Sequence, residues 1–414
     1  MKMRNLNFRK IILKGIACKR FLVFSMISIA SLQGFQAMGA PVVTCGGNFK
    51  EFLQDIGARA VERGINKNAV LLALKYSKHS NKVLSMDRKQ STFRLSFLDF
   101  SKRAINSYRL KNGVKNIKRY HDTFQLAESM YGVPAEVITA FWAMETDFGA
   151  VQGNFNTLSA LATLAHDCRR PEMFQEEYIS AIELFAEGVI NKEITGAWAG
   201  EIGQVQMLPS DILIFGKDGD GDGLVDLKQS APDAILTAAA LISSMGWIPN
   251  QPWTEEVILP AGFPWREAGF GRKRTLNAWK KLGAKSRTGS FKIEDQAKAT
   301  LLMPQGRKGP KFLAYSNFDI YLSWNDSFIY TVTAAHLANR LGGAKSFLSN
   351  KPENILSVEE MVKLQNILKS KGFDVGEVDG ILGRNTRQSV RKIQLELGLP
   401  GDSWPTKSLL KKLR

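Results

Sequence analysis

The chain has 414 residues, 44% of them hydrophobic and 23% charged. This ordinary globular composition excludes wholesale disorder and leaves room for two or three domains around sizeable cores. The formal charge is +17, from 56 Lys and Arg against 39 Asp and Glu; a moderate excess of that sign suits an acidic, insoluble polymer as partner, and suits nucleic acid equally.

Seven of the basic residues (Lys2, Arg4, Arg9, Lys10, Lys14, Lys19 and Arg20) stand in the first twenty positions, where there is no acid. They precede FLVFSMISIASLQGF, an uncharged stretch too short to span a bilayer comfortably, and then the small residues AMGA. Residues 1–40 therefore read as a secretory signal peptide with a long basic lead; a retained N-terminal anchor is the alternative. Cleavage after Ala40 removes those seven and leaves 49 basic against 39 acidic residues, a net +10. No second apolar run reaches membrane length. Export argues against nucleic acid as partner. Cys18 leaves with the signal, and Cys45 and Cys168 remain. An even pair in an oxidising compartment reads more economically as a disulfide than as a nucleophile or a metal site.

From about Phe49 to Tyr131 the apolar spacing is heptad-like, as in AVLLALKYS and HDTFQLAESMYG, and predicts helices. Helical patterns continue through Leu184 and return in APDAILTAAALISSMGW and DSFIYTVTAAHLANRLGG. Between these two, residues 248–316 carry Pro and Gly with short alternations such as EEVILP and KATLLMP, the pattern of a few strands and loops. Periodicity fades around GGAKSFLSNKPENILS, where a linker falls at residues 344–355. Beyond it, SVEEMVKLQNILKSKG predicts a capped helix. Ser357 is its N-cap with Glu360 three residues on, the stripe is Met361, Leu364 and Leu368, and Gly372 follows the end. DVGEVDGILG reads as a turn-rich loop, RNTRQSVRKIQLELG as a second helix and WPTKSLLKKL as a third.

YGVPAEVITAFWAMETDFG predicts one helix, with Pro134 near its first turn and Gly149 after its last. Ile138, Phe141, Trp142 and Glu145 fall at i, i+3, i+4 and i+7, which puts a carboxylate on the apolar face. Burial there disfavours the charged form and raises the pKa, as a general acid near neutral pH requires. A single glutamate near a helix end also reads as a solvated or capping residue, and periodicity leaves both readings open. In DGDGDGLVD, Asp218, Asp220 and Asp222 occupy positions 1, 3 and 5 of a calcium-loop pattern, with Gly223 at 6, the Leu224 carbonyl at 7 and Asp226 at 9. Gln229 stands where the bidentate glutamate of position 12 belongs, which weakens such a site. An Asp-Gly turn without an ion is the alternative.

The segment YGVPAEVITAFWAMETDFGAVQGNFNTLSALATLA resembles the catalytic segment of the B-type lytic murein transglycosylases, in which the glutamate of an ETxFG run is the sole catalytic acid. The likeness continues through HDCRRPEMFQEEYISAI, TGAWAGEIGQVQMLPSDI, DGDGDGLVDLKQSAPDAI and LSWNDSFIYTVTAAHLANRL, over residues 46–343. The resemblance implies a mainly α, α+β architecture with a lysozyme-like catalytic domain. It implies an enzyme, a lyase that cuts peptidoglycan glycan strands between N-acetylmuramic acid and N-acetylglucosamine. Most glycosidases use two carboxylates; this family is thought to use one, here Glu145. As acid, it protonates the leaving oxygen. As carboxylate, it takes the proton of the muramic acid O6 while that oxygen closes on C1, leaving a 1,6-anhydro end. Arg169 and Arg170 match the paired arginines of the family's groove, where guanidinium forks hold carboxylate or carbonyl groups of the substrate; a solvated basic pair is the alternative. Gln206 in GQVQMLPS and Asn325 in LSWNDS match polar contacts of the active site. Some family members carry a metal in the loop of the aspartates; the implied chemistry needs no Lewis acid, so calcium would be structural and no cofactor is required for the reaction.

Two positions depart from the family pattern. Glu201, in AGEIGQ, replaces a small residue and makes a hydrolytic muramidase with a second carboxylate conceivable. Trp324 stands where some members have tyrosine, which preserves aromatic stacking on a sugar and loses a hydroxyl. Over residues 356–414, LQNILKSKGFDVGEVDGILGRNTRQSVRKIQLELGLPGD resembles the type 1 peptidoglycan-binding domain, a three-helix module. Asp379 and Gly380 permit its tight turn, and Val390 and Ile393 read as core. Such a module acts by tethering, which raises the local concentration of wall strands. The expected setting is the periplasm of a Gram-negative bacterium, with peptidoglycan strands and wall-synthesis or remodelling proteins as partners. A binding protein that has lost the chemistry is the rival from another class.

Overall fold

Asn48 opens the first described helix, Phe49–Glu62, by accepting from the backbone N–H groups of Lys50 and Glu51. The computed structural model describes residues 44–88, 95–348 and 352–413. The expected leader over residues 1–40, with Cys18, lies outside the described residues. The chain divides into two compact units. Among the described residues, one comprises 44–87 and 152–230, and the other 88–151 with 231–413.

The first unit is helical, built on Phe49–Glu62, Lys67–Tyr76, Asn81–Arg88, Thr157–His166, Pro171–Ala186 and Pro209–Phe215. Its core includes Phe52, Ile56, Leu158, Leu161, Phe174 and Ile182. Tyr178 is wholly buried, and its hydroxyl bonds Ser77 Oγ at 2.6 Å, so the one polar atom of the ring is satisfied inside. Strand β1 (Phe155–Asn156) pairs antiparallel with β2 (Thr195–Gly196). A disulfide joins Cys45 to Cys168, and Gly46 N donates to the His166 carbonyl beside it.

In the second unit, the helix Ala135–Thr146 is buried on almost every side. Val137 through Ala143 are all at most 2% exposed, so Thr139 and Ala140 are enclosed as fully as the stripe of Ile138, Phe141 and Trp142. Packed against it are Phe328–Leu341, Ser107–Arg119, His121–Tyr131 and Ala231–Ser244. The helix ends at Thr146, three residues before the expected stop at Gly149, because Asp147, Phe148 and Gly149 take φ of 51°, 63° and 87° in succession. Three left-handed residues cannot continue a right-handed helix. Side chains pin the turn: the Asp147 carboxylate accepts from Arg109 Nε at 2.6 Å, Phe148 meets Trp142 edge-on, and Gly149 N donates to Thr146 Oγ1.

The Pro- and Gly-bearing region forms one antiparallel sheet of β3 (Thr254–Ile258), β4 (Lys273–Thr275), β5 (Lys285–Ser286), β6 (Lys298–Leu302) and β7 (Phe312–Ala314), in the order β4-β6-β7-β3-β5. Leu301 faces Leu313 across β6 and β7, and both join Val257, Trp279 and Ala299 in the sheet's core. Two helices within or next to this region, Leu276–Lys281 and Ser316–Trp324, are too short to show a period in the sequence.

The C-terminal helices are Val358–Ser370, Arg384–Glu396 and Lys407–Lys412. The capping box forms as read: Glu360 N donates to Ser357 Oγ, and Ser357 N donates to Glu360 Oε2. Met361, Leu364, Leu368, Val390 and Ile393 make the core with Trp404. At its centre the buried amide of Gln365 accepts from Gly380 N and donates to the Glu377 and Ile381 carbonyls, closing the turn-rich loop. The three helices pack directly on the body of their unit. Arg391 Nε donates to the Ala268 carbonyl at 2.7 Å, and Arg307 NH1 reaches Asp402 Oδ2 at 3.1 Å. A Cβ on Gly269 would lie 2.7 Å from Arg391 Cδ, and one on Gly306 2.6 Å from Trp404 Cβ, so both glycines are sites of close approach.

Candidate active site

Glu145 sits in the last turn of the central helix, half-buried, one residue before the chain leaves helical geometry. Two donors from the far end of the chain meet on its Oε1: Trp324 Nε1 at 2.8 Å and Tyr330 Oη at 2.6 Å. Trp324 ends the helix Ser316–Trp324, and Tyr330 stands in the first turn of Phe328–Leu341. The intervening turn is fixed by Asn325, whose Oδ1 accepts from Ser327 N at 2.9 Å.

Trp324 corrects one expectation. It is only 2% exposed and its ring stacks on Phe141 at 4.3 Å, so it presents no open face to a sugar. Its indole N–H is the part that reaches Glu145. Asn325 is 3% exposed and serves as a turn cap. Tyr330, which sequence reasoning missed, lies five residues after Asn325 in the segment that carries the family likeness. Nothing in its helical spacing distinguishes it from a core tyrosine.

The other residues singled out belong to the first unit. Arg169 and Arg170 converge on Asp87, which is 1% exposed: Arg169 NH1 reaches Asp87 Oδ2 at 2.7 Å, and Arg170 NH2 pairs with Oδ1. Arg170 also lies over the Phe174 ring at 4.9 Å. One buried acid braces the pair, while the Arg169 side chain keeps 46% of its surface exposed and that of Arg170 27%. Gln206 is 6% exposed with φ 51°, in a turn closed by the Ile202–Met207 bridge. Its Nε2 donates to the carbonyls of Gly203 and Gln152, so the amide nitrogen supports the turn. Glu201 is 5% exposed, and Gly196 packs on its carbonyl.

In the aspartate loop, ligand oxygens of Asp218, Asp220 and Asp222 all lie within 4.8 Å of one another. Asp218 accepts from Gly221 N and Gly223 N; the Gly223 bond first of all holds its carboxyl below the usual range. Three exposed carboxylates brought this close fit a hard divalent cation. Asp226 stands outside that triad, and its Oδ1 accepts from Lys228 N and Gln229 N. Leu224 N donates to Asp222 Oδ1, which draws the Leu224 backbone into the loop.

With this geometry in place, the comparisons define a class. The model of the SLT transglycosylase domain matches residues 48–339, and that of the peptidoglycan binding domain matches 357–413. The chain belongs to the SLT-domain transglycosylase family. Its relatives include the membrane-bound lytic murein transglycosylase B of Escherichia coli K12, 28% identical over 254 residues that cover 60% of this chain and 68% of that protein. SltB3 of Pseudomonas aeruginosa, solved with NAG-anhNAM-pentapeptide, superposes with a TM-score of 0.81 at 32% identity and covers 89% of this chain and all of that one. Escherichia coli Slt35, solved in complex with calcium, gives 0.61 at 25% identity over 72% of this chain and 96% of its own. No helix among the described residues is long and apolar enough to cross a membrane.

Proposed function

We propose that the protein is a lytic transglycosylase that cleaves the MurNAc-GlcNAc bond of peptidoglycan without water and leaves 1,6-anhydro-MurNAc ends. The observation that carries this reading is the half-buried Glu145 carboxyl, oriented by the converging donors of Trp324 and Tyr330. In the first step Glu145 gives its proton to the glycosidic oxygen as the bond from C1 breaks. The resulting carboxylate is the form the two donors favour. In the second step it takes the proton of the O6 hydroxyl while O6 bonds C1, so the acid is regenerated and one bond replaces another. Arg169 and Arg170, braced by Asp87, are proposed to hold acidic groups of the substrate, and Gln206 and Asn325 are proposed as further polar contacts to it. SltB3, solved with both NAG-NAM-pentapeptide and its anhydro counterpart, supports this chemistry for a related fold.

Glu201 gives little support to a hydrolytic alternative: a side chain 5% exposed in a tight turn is badly placed to activate water. The decisive experiment digests purified sacculi with the chain lacking residues 1–40 and with its Glu145→Gln variant, followed by mass spectrometry of the released sugars. Anhydro ends from the parent and none from the variant are expected. Reducing ends would sink the non-hydrolytic reading, and no product from the parent would favour a binding protein.

The leader at residues 1–40 would carry the protein to the periplasm. Calcium is proposed as a structural ion held by Asp218, Asp220 and Asp222, with the Leu224 carbonyl and Asp226 as the outer candidates. Relative to chelator, millimolar calcium should raise the melting temperature of the parent and leave Asp218→Asn/Asp222→Asn unmoved; equal shifts in both would place the ion elsewhere.

A further inference from the structure

Arg384 and Arg387 stand one turn apart in the first turns of the helix Arg384–Glu396. They reach two phenylalanines that touch each other: Arg384 lies over Phe270 at 5.5 Å, Arg387 over Phe328 at 4.9 Å, and the rings meet edge to face at 4.7 Å. Arg384 is exposed, whereas Arg387 is 1% exposed, and its three guanidinium nitrogens have no hydrogen-bond partner among the described residues. Apart from Phe328, its surroundings are the Trp404 ring at 5.7 Å and the charge of Asp402. A buried guanidinium with unmet donors is unfavourable unless something offsets it. Here the offset comes from the ring faces together with the Asp402 charge, so the contact with Phe328 is one of those on which this side chain depends.

Phe328 is the first residue of the helix Phe328–Leu341, and Tyr330, two residues on, is the hydroxyl donor to Glu145. Phe328 and Arg387 share a cavity of only about 10 Å³ with Phe270, Leu302, Met303 and Ser403, and removal of the guanidinium would enlarge it beside the ring. We propose that the C-terminal module positions the catalytic machinery: Arg387, with Arg384, seats Phe328 and thereby fixes the turn that presents Tyr330 to Glu145. The proposal rests on the transglycosylase reading of Glu145, and it makes Arg387 a positioning residue distant from substrate.

The test compares the parent with Arg387→Leu, Arg387→Lys and Arg384→Ala on sacculi and on a soluble tetrasaccharide of alternating GlcNAc and MurNAc, too short to gain from wall anchoring. A fall in kcat of about three- to tenfold on the soluble substrate is expected for Arg387→Leu, with an unchanged melting temperature and KM and most of the loss recovered in Arg387→Lys. Amide exchange at residues 328–331 should quicken in step. Parental kcat on the tetrasaccharide, with losses confined to sacculi, would reduce the module to an anchor and overturn the proposal. Should Arg387→Leu not fold, the exposed Arg384→Ala carries the same comparison: a smaller fall with quicker exchange supports positioning, and parental values overturn it. A parent that yields no product counts against the reading of Glu145, and amide exchange in the variants then still decides whether Arg387 seats the turn.

Discussion

Glu145 receives an indole N–H and a phenol O–H on one oxygen, and the two differ in what a substitution can remove. Loss of Trp324 would open a hole against Phe141, whereas Tyr330→Phe deletes one hydrogen bond and keeps the ring. A bond to a charged group contributes about 1.5–3 kcal/mol, so Tyr330→Phe should lower kcat about ten- to a hundredfold if the bond tightens as Glu145 becomes a carboxylate. KM should stay within about twofold if substrate and transition state are not bound alike. Steady-state kinetics on soluble glycan would expose the opposite pattern, a raised KM with kcat intact, as the mark of a ground-state role. At this scale the sequence was legible where a polar group interrupted an apolar pattern, as at Glu145 and in the aspartate ladder. It was illegible where a residue's role depends on a partner far along the chain. Asp87 lies 82 residues from Arg169 and Tyr330 lies 185 from Glu145, and neither spacing leaves a local trace.

Among the elements, long helices were readable because burial on one face imposes a period. The shorter pieces of the sheet region were not, since two- and three-residue strands such as β5 and β7 are defined by pairing and not by pattern. The early end of the helix at Thr146 was hidden because Asp147 and Phe148 adopt a conformation that glycine usually announces. The helix Phe328–Leu341 carries a different consequence. His336, 4% exposed and packed near Phe312 and Phe347, is pushed down to about 3 by burial first, and then by Arg340 and Arg287. The folded form therefore keeps the ring neutral where the unfolded chain takes up a proton. Stability from this source is complete above pH 6.5 and falls as the pH drops towards 3, by at most about 1.4 kcal/mol per pH unit. Denaturant titrations between pH 7.5 and 4.5 should show a flatter decline for His336→Leu than for the parent; parallel declines would mean the ring is protonated in the folded state.

For the molecule as a whole, the Cys45–Cys168 bond closes a separation of 123 residues within the first unit. On the chain-entropy account, such a closure stabilises by roughly 4–5 kcal/mol. Urea unfolding of Cys45→Ser/Cys168→Ser should register a loss of that order; a midpoint equal to the parent's would show that the bond is ornamental to stability. Cys168 also directly precedes Arg169, so the crosslink fastens the approach to the braced arginine pair. The close approach at Gly269 and Gly306 has a further consequence. In sequence the chain looks like two exchangeable cassettes, with one domain ending near residue 339 and another beginning near 357. In three dimensions the join is a fitted surface, crowded at Gly306 against Trp404 and at Gly269 against Arg391, and met by Arg384, Arg387 and Arg391. A homologous module grafted in place of this one would have to supply matching contacts in order to seat. Shuffling of such modules between enzymes must therefore be accompanied by substitutions on the body that receives them.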